Sequence, residues 1–194
     1  MSKDFFNARA ATWDEKVAEK DAAKLMGMAG RLDIKPGSAV LDVGTGTGVF
    51  VPYIVEKVGI KGSLVCLDYA EAMIKSARAK HFPGNVSFLC ADIEDNGLPD
   101  NTFDAVVCYS VFPHFNNRLK ALKEIYRVLK NGGKLFICHT SSRHHINKIH
   151  RNIPELCHHM FPENEDMRRM LNEAGFTDIS IFDGHGDYLA EAKK

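Results

Sequence analysis

The chain has 194 residues, and its 25 lysines and arginines are balanced by 25 aspartates and glutamates. This length is typical of one domain with a single hydrophobic core. The zero net charge disfavours a nucleic-acid partner, because no large uniform field is available to hold a polyanion. No stretch approaches the roughly 20 apolar residues of a membrane span. We therefore expect a single soluble, cytoplasmic domain over residues 1–194, present as a monomer or homodimer.

The five cysteines include no Cys-x-x-Cys pair. Four of them lie in apolar runs that are typical of buried strands: Cys66, Cys90, Cys108 and Cys138. The fifth is Cys157. We expect free thiols in a reducing compartment.

The N-terminal region has helical composition over residues 3–33. Its apolar positions are spaced as one helix face: Val17, Leu25, Met28 and Leu32. We expect two helices here, which form an N-terminal cap over residues 1–35. Pro36-Gly37 then separates the cap from the rest of the chain.

Apolar runs and helical segments alternate along the remainder of the chain. Strands are predicted at 39–43, 64–67, 86–90, 103–108, 134–138, 177–182 and 187–192, and helices at 49–58, 70–80, 117–130 and 163–174. We expect Asn131-Gly132-Gly133 to end the helix 117–130. Alternating strands and helices predict an α/β, Rossmann-like doubly wound fold, with a mostly parallel sheet and helices on both faces.

The stretch Val40-Leu41-Asp42-Val43-Gly44-Thr45-Gly46-Thr47-Gly48 stands where a strand turns into a helix. Its glycines allow the backbone to approach a ligand at the carboxyl end of a strand. A dinucleotide fingerprint that starts at Gly44 would place its third glycine at position 49, but Gly48 comes one residue early. Asp42 would repel a pyrophosphate, whereas it suits the ammonium group of a methionine moiety. The pattern therefore favours S-adenosylmethionine over NAD.

Two further aspartates follow the next two strands. Asp68 lies 24 residues after Gly44, where ribose hydroxyls would require an acceptor pair. Asp92 can accept a hydrogen bond from an adenine amine, while Ile93 supplies apolar contact and a backbone donor. A single aspartate at such a place is more often a turn or helix-cap residue. Three of them at successive strand ends indicate a cofactor site.

These residues resemble the class I S-adenosylmethionine-dependent methyltransferases, particularly the ubiquinone/menaquinone-biosynthesis-like and small-molecule type 11 branch. The resemblance runs from about residue 36 to the end and rests on five segments in order: 40–48, 67–69, 91–93, 103–110 and 122–135. It implies a seven-stranded sheet whose last strand is antiparallel, and methyl transfer that leaves S-adenosyl-L-homocysteine. It also implies these cofactor-binding residues: Asp42, Gly44, Thr45, Gly46, Gly48, Asp68, Tyr69, Met73, Asp92, Ile93 and Tyr109.

The N-terminal helices of the family often fold over the cofactor. Trp13, the only tryptophan of the chain, could form an aromatic wall there. Plain core packing is the alternative, because a tryptophan is usually well buried in any fold.

Histidines crowd the segment after the fifth predicted strand. Six of the nine lie between residues 139 and 159: His139, His144, His145, His150, His158 and His159. We expect residues 139–162 to form a lid over the acceptor pocket. Its histidines could be incidental, could bind an anion or act as a base, or could hold a metal. Pro154 and the lack of a compact zinc pattern disfavour the metal, and we expect none.

His114 follows the fourth strand on the loop expected to face the substrate. It could orient this loop or take part in catalysis. The candidate catalytic residues are therefore His114, His139, His145 and His150.

A small-molecule acceptor is favoured because the chain is close to the minimal fold plus a lid. An RNA or protein methyltransferase and a non-catalytic S-adenosylmethionine-binding module are the alternatives. Enzymes that methylate base amino groups carry Asn-Pro-Pro-Tyr after the fourth strand. This chain has Tyr109-Ser110-Val111-Phe112 there, which disfavours that activity.

Overall fold

The computed structural model describes residues 2–16 and 21–194, so the predicted helix position Val17 lies outside the described residues. The N-terminal region contains α1 (Ser2–Arg9), a 3-10 turn (Ala10–Thr12), α2 (Trp13–Lys16) and α3 (Ala22–Arg31). The expected two helices are therefore replaced by shorter pieces. Asp21 begins α3, because its side chain accepts hydrogen bonds from two backbone N–H groups of the first turn.

Seven strands form one sheet in the part of the chain that the structure describes. They are β1 (Ala39–Val43), β2 (Ser63–Asp68), β3 (Val86–Cys90), β4 (Phe103–Tyr109), β5 (Leu129–His139), β6 (Thr177–Asp183) and β7 (Tyr188–Lys193). Their order is β3-β2-β1-β4-β5-β7-β6, and only the pairs that involve β7 are antiparallel. The predicted mostly parallel sheet with an antiparallel last strand is confirmed.

The helices that connect these strands are α4 (Val51–Val58), α5 (Glu71–Arg78), α6 (Arg118–Val128), α7 (Arg143–Arg151) and α8 (Asn164–Glu173). Hydrophobic clusters lie on both faces of the sheet. Leu41 of β1 packs in the cluster that includes α6 and α8, whereas its neighbour Val40 packs in the cluster with α3 and α4. Both side chains are fully buried, which explains the nearly continuous apolar run of β1.

The helices are short or polar. Within the ranges described, none of them has the length and apolar character that a span requires.

Asn131-Gly132-Gly133 does not end the preceding helix, contrary to prediction. Helix α6 ends at Val128, and the fully buried Leu129 already pairs with Phe103 of β4. The next pair joins Lys134 to Ala105, so residues 130–133 form an irregularity inside the span of β5. Burial of Leu129 in the sheet therefore brings the strand forward by five residues.

The prediction of four buried strand cysteines is wrong at one position. Cys66, Cys108 and Cys138 are buried, but Cys90 is exposed at the end of β3. This strand is the edge of the sheet and has no neighbour on its outer side. All five cysteines are free thiols.

The chain builds β1, β2 and β3 outward in one direction and then places β4 on the opposite side of β1. The point where the strand order reverses lies between β1 and β4. In open α/β sheets, ligands bind beyond the carboxyl ends of the strands at such a point.

Candidate active site

A cavity of about 440 Å³ lies at this reversal point, within the range of small-molecule sites. Predicted cofactor residues that line it are Trp13, Gly44, Thr45, Gly46, Asp68, Tyr69, Met73, Asp92, Ile93 and Tyr109. All four candidate catalytic histidines line it too: His114, His139, His145 and His150. The structure therefore brings both predicted sets together around one cavity.

The glycine loop after β1 forms the floor of the cavity. Gly44 has φ +70°, and a Cβ atom there would stand 2.2 Å from Cγ2 of Val111. Gly46 has φ +55° and donates its backbone N–H to Oδ2 of Asp68 at 2.8 Å. Among the residues that the structure describes, no atom lies within 4 Å of the place where a Cβ of Gly46 would be. The backbone at Gly46 therefore faces open space in which a ligand can approach.

Asp68 anchors this loop from the end of β2. Its Oδ2 accepts from Gly46, and its Oδ1 accepts from the backbone N–H of Ala70 at 2.9 Å. Burial raises the pKa of Asp68, and the backbone N–H groups of Ala70, Gly46 and Tyr69 oppose that rise. Each carboxylate oxygen has lone pairs beyond these bonds. The predicted contact with ribose stays a prediction.

Two predicted cofactor residues do not line the cavity. Asp42 is 2% exposed behind the loop, and its Oδ2 has no hydrogen-bond partner among the described residues. Burial raises the pKa of Asp42 to about 7, an effect that Thr45 opposes and the charge of Asp68 reinforces. Gly48 serves close packing, because a Cβ there would stand 3.1 Å from Cζ of Phe82.

An aromatic wall closes the cavity on the side of α1. The Phe6 ring lies edge-on to the rings of Trp13 and Tyr69, with centroids 5.5 and 6.3 Å apart. Asn7 fastens α1 to α5, because its Oδ1 accepts the backbone N–H of Ala72 at 3.0 Å. Trp13 is half-buried and lines the cavity, as expected for a wall residue.

Tyr109 is the last residue of β4, and both its ring and its hydroxyl make contacts. The ring stacks on Phe50, with centroids 4.4 Å apart and planes inclined by 16°. Its hydroxyl shares a hydrogen bond of 2.8 Å with Oγ1 of Thr140. The hydroxyl of Tyr109 thus connects this side of the cavity to the residues that follow β5.

Asp92 and Ile93 line the cavity beyond β3. Oδ1 of Asp92 accepts the backbone N–H of Glu94 at 2.9 Å, which is the turn role considered as the alternative. Ile93 is 3% exposed. The adenine contact of Asp92 stays a prediction.

His114 lies in a 3-10 turn (Phe112–His114), and its ring is edge-on to that of Phe6 in the aromatic wall, with centroids 5.1 Å apart. The centroid of its ring is 5.0 Å from that of His150 and 5.4 Å from that of His159. Burial, with the charges of these two histidines, holds the pKa of His114 well below its usual value. The ring is therefore neutral at pH 7.

The remaining candidates differ in exposure. His139 is 5% exposed and its ring lies 6.2 Å from that of Tyr109, whereas His145 is exposed on α7. Among the described residues, no group of three or more His, Cys, Asp or Glu side chains is arranged to hold a metal ion.

Sequence reasoning missed two residues here. Ser110 lines the cavity with φ +55° and a buried hydroxyl, and its place directly after β4 could have indicated it. His159 packs on His114, which no local pattern signals.

The doubly wound sheet and the glycine loop at its reversal point define a class I S-adenosylmethionine-dependent methyltransferase. Residues 41–137 match the family model described as Methyltransferase domain, and the chain belongs to this family. It falls in the ubiquinone/menaquinone-biosynthesis-like branch that its sequence resembles.

Two relatives are named "Ubiquinone/menaquinone biosynthesis C-methyltransferase UbiE". The protein from Cronobacter sakazakii is 28% identical over 185 residues, which cover 81% of this chain and 73% of that protein. The protein from Hydrogenovibrio crunogenus is 39% identical over 108 residues, 54% of this chain and 42% of that protein.

Solved structures show the same fold. An S-adenosylmethionine-dependent methyltransferase from Aquifex aeolicus has a TM-score of 0.76 and 26% identity, with 96% of this chain and 97% of that chain covered. A methyltransferase from Haloferax volcanii, in complex with the activator Trm112, has a TM-score of 0.79 and 22% identity, with 97% and 96% covered.

The residues present fit S-adenosylmethionine. Gly46 leaves its backbone open to a ligand, and the orphaned carboxylate oxygen of Asp42 lies behind the same loop. An aromatic wall that includes Trp13 covers the cavity from above. Polar groups at the glycine loop can bind the zwitterionic end of such a ligand, and the aromatic wall can pack against its flat base.

Proposed function

We propose that this methyltransferase transfers the methyl group of S-adenosylmethionine to a small-molecule acceptor bound in the histidine-lined half of the cavity. One observation carries the proposal: ten of the twelve predicted cofactor residues and all four candidate histidines line one cavity. When bound, S-adenosylmethionine supplies an electrophilic methyl group. The protein then has to bring an acceptor atom to about 3–3.5 Å from that carbon, which contributes much of the rate enhancement in such reactions.

The lining of the histidine side indicates the character of the acceptor. Several apolar members come from α7 and the turns after it: Ile146, Ile149, Ile153 and Leu156. His114 adds a neutral imidazole to this apolar wall. Such a lining favours an acceptor with an apolar body and at least one polar group that can bond to an imidazole.

Two elements beside the cavity meet at an exposed ion pair, and their closeness favours a small acceptor. Arg9 at the end of α1 forms an ion pair with Glu155, 3.3 Å apart, after α7. Both residues belong to the segments proposed as covers: the N-terminal cap over 1–35 and the lid over 139–162. The pair is exposed and contributes only about 0–1 kcal/mol, so it marks where the two segments meet rather than a barrier to a macromolecule. The relatives named as C-methyltransferases of ubiquinone/menaquinone biosynthesis support a small-molecule acceptor for this chain as well.

We propose roles for the predicted residues on the same basis. The cofactor set holds the methyl donor, with Asp42 acting from behind the glycine loop, and His114, His139, His145 and His150 face the acceptor. The free thiols of all five cysteines support a reducing compartment such as the cytoplasm. A single unit that acts as a monomer or homodimer stays a prediction.

The test follows labelled methyl from S-adenosylmethionine into separated pools of cell metabolites, protein and RNA. Asp68→Ala provides the blank, because it removes the anchor of the glycine loop. Label in a small molecule supports the proposal and permits identification of the product by mass. Label in RNA or protein supports a macromolecular acceptor instead. Tight binding of S-adenosyl-L-homocysteine without transfer to any pool would favour a non-catalytic binding module.

A further inference from the structure

Helix α5 starts without a capping side chain of its own. Ala70 stands at the position before the helix, and its side chain has no atom that can accept a hydrogen bond from the first turn. The first turn of a helix leaves backbone N–H groups without a partner inside the helix, and a polar residue at this position usually accepts from one of them. The start of α5 therefore depends on side chains from other parts of the chain.

Two side chains outside the helix accept from N–H groups at its start. Oδ1 of Asp68, at the end of β2, accepts the backbone N–H of Ala70 at 2.9 Å. Oδ1 of Asn7, on α1 and 65 residues away in sequence, accepts the backbone N–H of Ala72 at 3.0 Å. Asparagine is one of the residues that cap helices well. Asn7 thus caps a helix to which it does not belong.

The orientation of the Asn7 amide follows from its two contacts. Its Nδ2 donates to Oε2 of Glu71 at 3.3 Å, and Nζ of Lys3 pairs with Oε1 of the same carboxylate at 2.6 Å. A carboxylate only accepts, so the amide nitrogen faces Glu71. A backbone N–H only donates, so the amide oxygen faces Ala72. Both polar ends of the Asn7 side chain are therefore engaged on the first turn of α5.

The first turn of α5 carries residues of the cofactor half of the cavity. Tyr69 stands just before this turn and Met73 lies within it, and both line the cavity. Met73 is 1% exposed and packs in one buried cluster with Ala10 of the N-terminal cap. The position of the turn therefore sets where two cavity-lining side chains lie.

Asp68 connects the same turn to the glycine loop. Its Oδ2 accepts the backbone N–H of Gly46 at 2.8 Å, while its Oδ1 accepts that of Ala70. The start of α5 is thus held from the glycine loop by Asp68 and from α1 by Asn7. Asn7 is not among the described residues that line the cavity, so it acts on a ligand only through this turn.

We propose that Asn7 is a positioning residue of the cofactor site, which caps α5 from α1 and so holds Tyr69 and Met73 where S-adenosylmethionine binds. This inference rests on the proposed cofactor-binding roles of Tyr69 and Met73. It assigns the N-terminal cap a task besides covering the cavity, because α1 completes the helix that carries these residues.

The expected signature of this role is a change in cofactor binding. An uncapped first turn samples more conformations, and a ligand that requires one of them binds more weakly by the fraction in which that conformation is populated. The methyl transfer step itself takes place after the cofactor has selected this conformation. The KM for S-adenosylmethionine should therefore rise while kcat stays the same.

The first experiment tests the cap on the ligand-free full chain. Amide hydrogen exchange is followed by NMR at Ala72, with Ala77 in a later turn of α5 as the internal reference. Asn7→Ala should speed exchange at Ala72 at least several-fold relative to Ala77. Asn7→Asp keeps an oxygen for the N–H of Ala72, and an aspartate is favourable at the start of a helix, so exchange there should stay slow.

The second experiment measures affinity for S-adenosyl-L-homocysteine by titration calorimetry. Asn7→Ala should weaken binding by about 3–10-fold, within the range expected for loss of a capping side chain. Asn7→Asp should bind within about two-fold of the unaltered chain. Lys3→Met is the matched control, since it removes the exposed ion pair to Glu71 at the same junction and leaves the cap of Ala72 in place.

Kinetics of labelled methyl transfer provide the readout that a merely structural residue would not give. In Asn7→Ala the KM for S-adenosylmethionine should rise by the same factor as the loss of affinity, with kcat unchanged. Urea unfolding shows that each variant is folded under the conditions of the assay. A fall in kcat that follows the loss of folded protein would identify Asn7 as a stability residue and overturn the positioning role.

The remaining outcomes separate this inference from the proposed function. Unchanged affinity in Asn7→Ala despite faster exchange at Ala72 would overturn the positioning role and leave the methyltransferase intact. Equal losses of affinity in Asn7→Ala and Asn7→Asp would assign the effect to the contact with Glu71 and overturn the cap. If the unaltered chain bound no S-adenosyl-L-homocysteine, the cofactor-binding roles of Tyr69 and Met73 would fail, and the positioning role of Asn7 with them.

Discussion

Gly44 lies so close to Val111 that a Cβ atom on the glycine would stand 2.2 Å from Cγ2 of the valine. This contact joins the glycine loop to the residues after β4, where Ser110 and His114 line the cavity. The loop on the cofactor side and the turn on the histidine side are thus packed as one unit. A change at Gly44 should affect both halves of the site.

Gly44→Ala should weaken binding of S-adenosyl-L-homocysteine at least 10-fold and lower the unfolding free energy by more than about 1–2 kcal/mol. The left-handed φ alone costs about that much for alanine, and the clash with Val111 adds to it. Gly37→Ala is the matched control, since Gly37 has φ +87° and no atom of the described part of the chain lies within 4 Å of its Cβ position. Titration calorimetry measures the affinity for S-adenosyl-L-homocysteine, and denaturant unfolding measures the unfolding free energy. Equal losses at the two sites would contradict a role for the Val111 contact.

Asp68→Ala should reduce cofactor affinity on the order of 100-fold, and it should also destabilise the chain by about 1–3 kcal/mol. The stability loss is expected because the backbone N–H groups of Gly46 and Ala70 lose their acceptors. Asp68→Asn keeps one acceptor oxygen, so it should lose less cofactor affinity and less stability than Asp68→Ala. Titration calorimetry with S-adenosyl-L-homocysteine and urea unfolding would test this. An alanine variant with full stability would show that the carboxylate does not anchor the loop.

Asp42→Asn should stabilise the ligand-free chain at pH 8 by on the order of 4 kcal/mol and have little effect near pH 4. Burial raises the pKa of Asp42 from 3.8 to about 7, so the folded state binds the proton more tightly than the unfolded state. The stability contribution of this group is therefore present below about pH 4 and is lost as the pH rises to about 7. Urea unfolding of both proteins across this range is the measurement. A pH-independent difference would contradict the raised pKa.

Binding of S-adenosyl-L-homocysteine should change the fluorescence of the chain, because Trp13 is the sole tryptophan and lines the cavity. The titration midpoint should agree with the affinity from calorimetry. Trp13→Phe removes the signal, keeps an aromatic ring and should bind within a few-fold of the unaltered chain. Trp13→Ala should bind at least several-fold more weakly through loss of apolar contact. Unchanged emission at saturation would remove Trp13 from the cofactor wall.

Much of the fold could be predicted from local patterns. The apolar run of β1 predicted a strand buried on both faces, and Val40 and Leu41 are indeed fully buried. Cys90 lies in a similar run and is exposed, because β3 is the edge of the sheet. The order of the strands is set when the sheet assembles, so it cannot be predicted from the apolar run of one strand.

The sequence by itself determined the class of fold and the glycine loop of an S-adenosylmethionine-dependent methyltransferase, and it predicted a set of histidines for the acceptor side. These follow from short-range features: periodicity, backbone freedom at glycine and the charge of Asp42. Only the tertiary structure decided that the side chains of Asn147, His150 and Arg118 form hydrogen bonds with the backbone of residues 159–161. Such contacts join residues at separations that follow no local period, so the sequence pattern does not signal them. Which backbone carbonyl lies against the ring of a histidine is therefore decided only when the segments pack together.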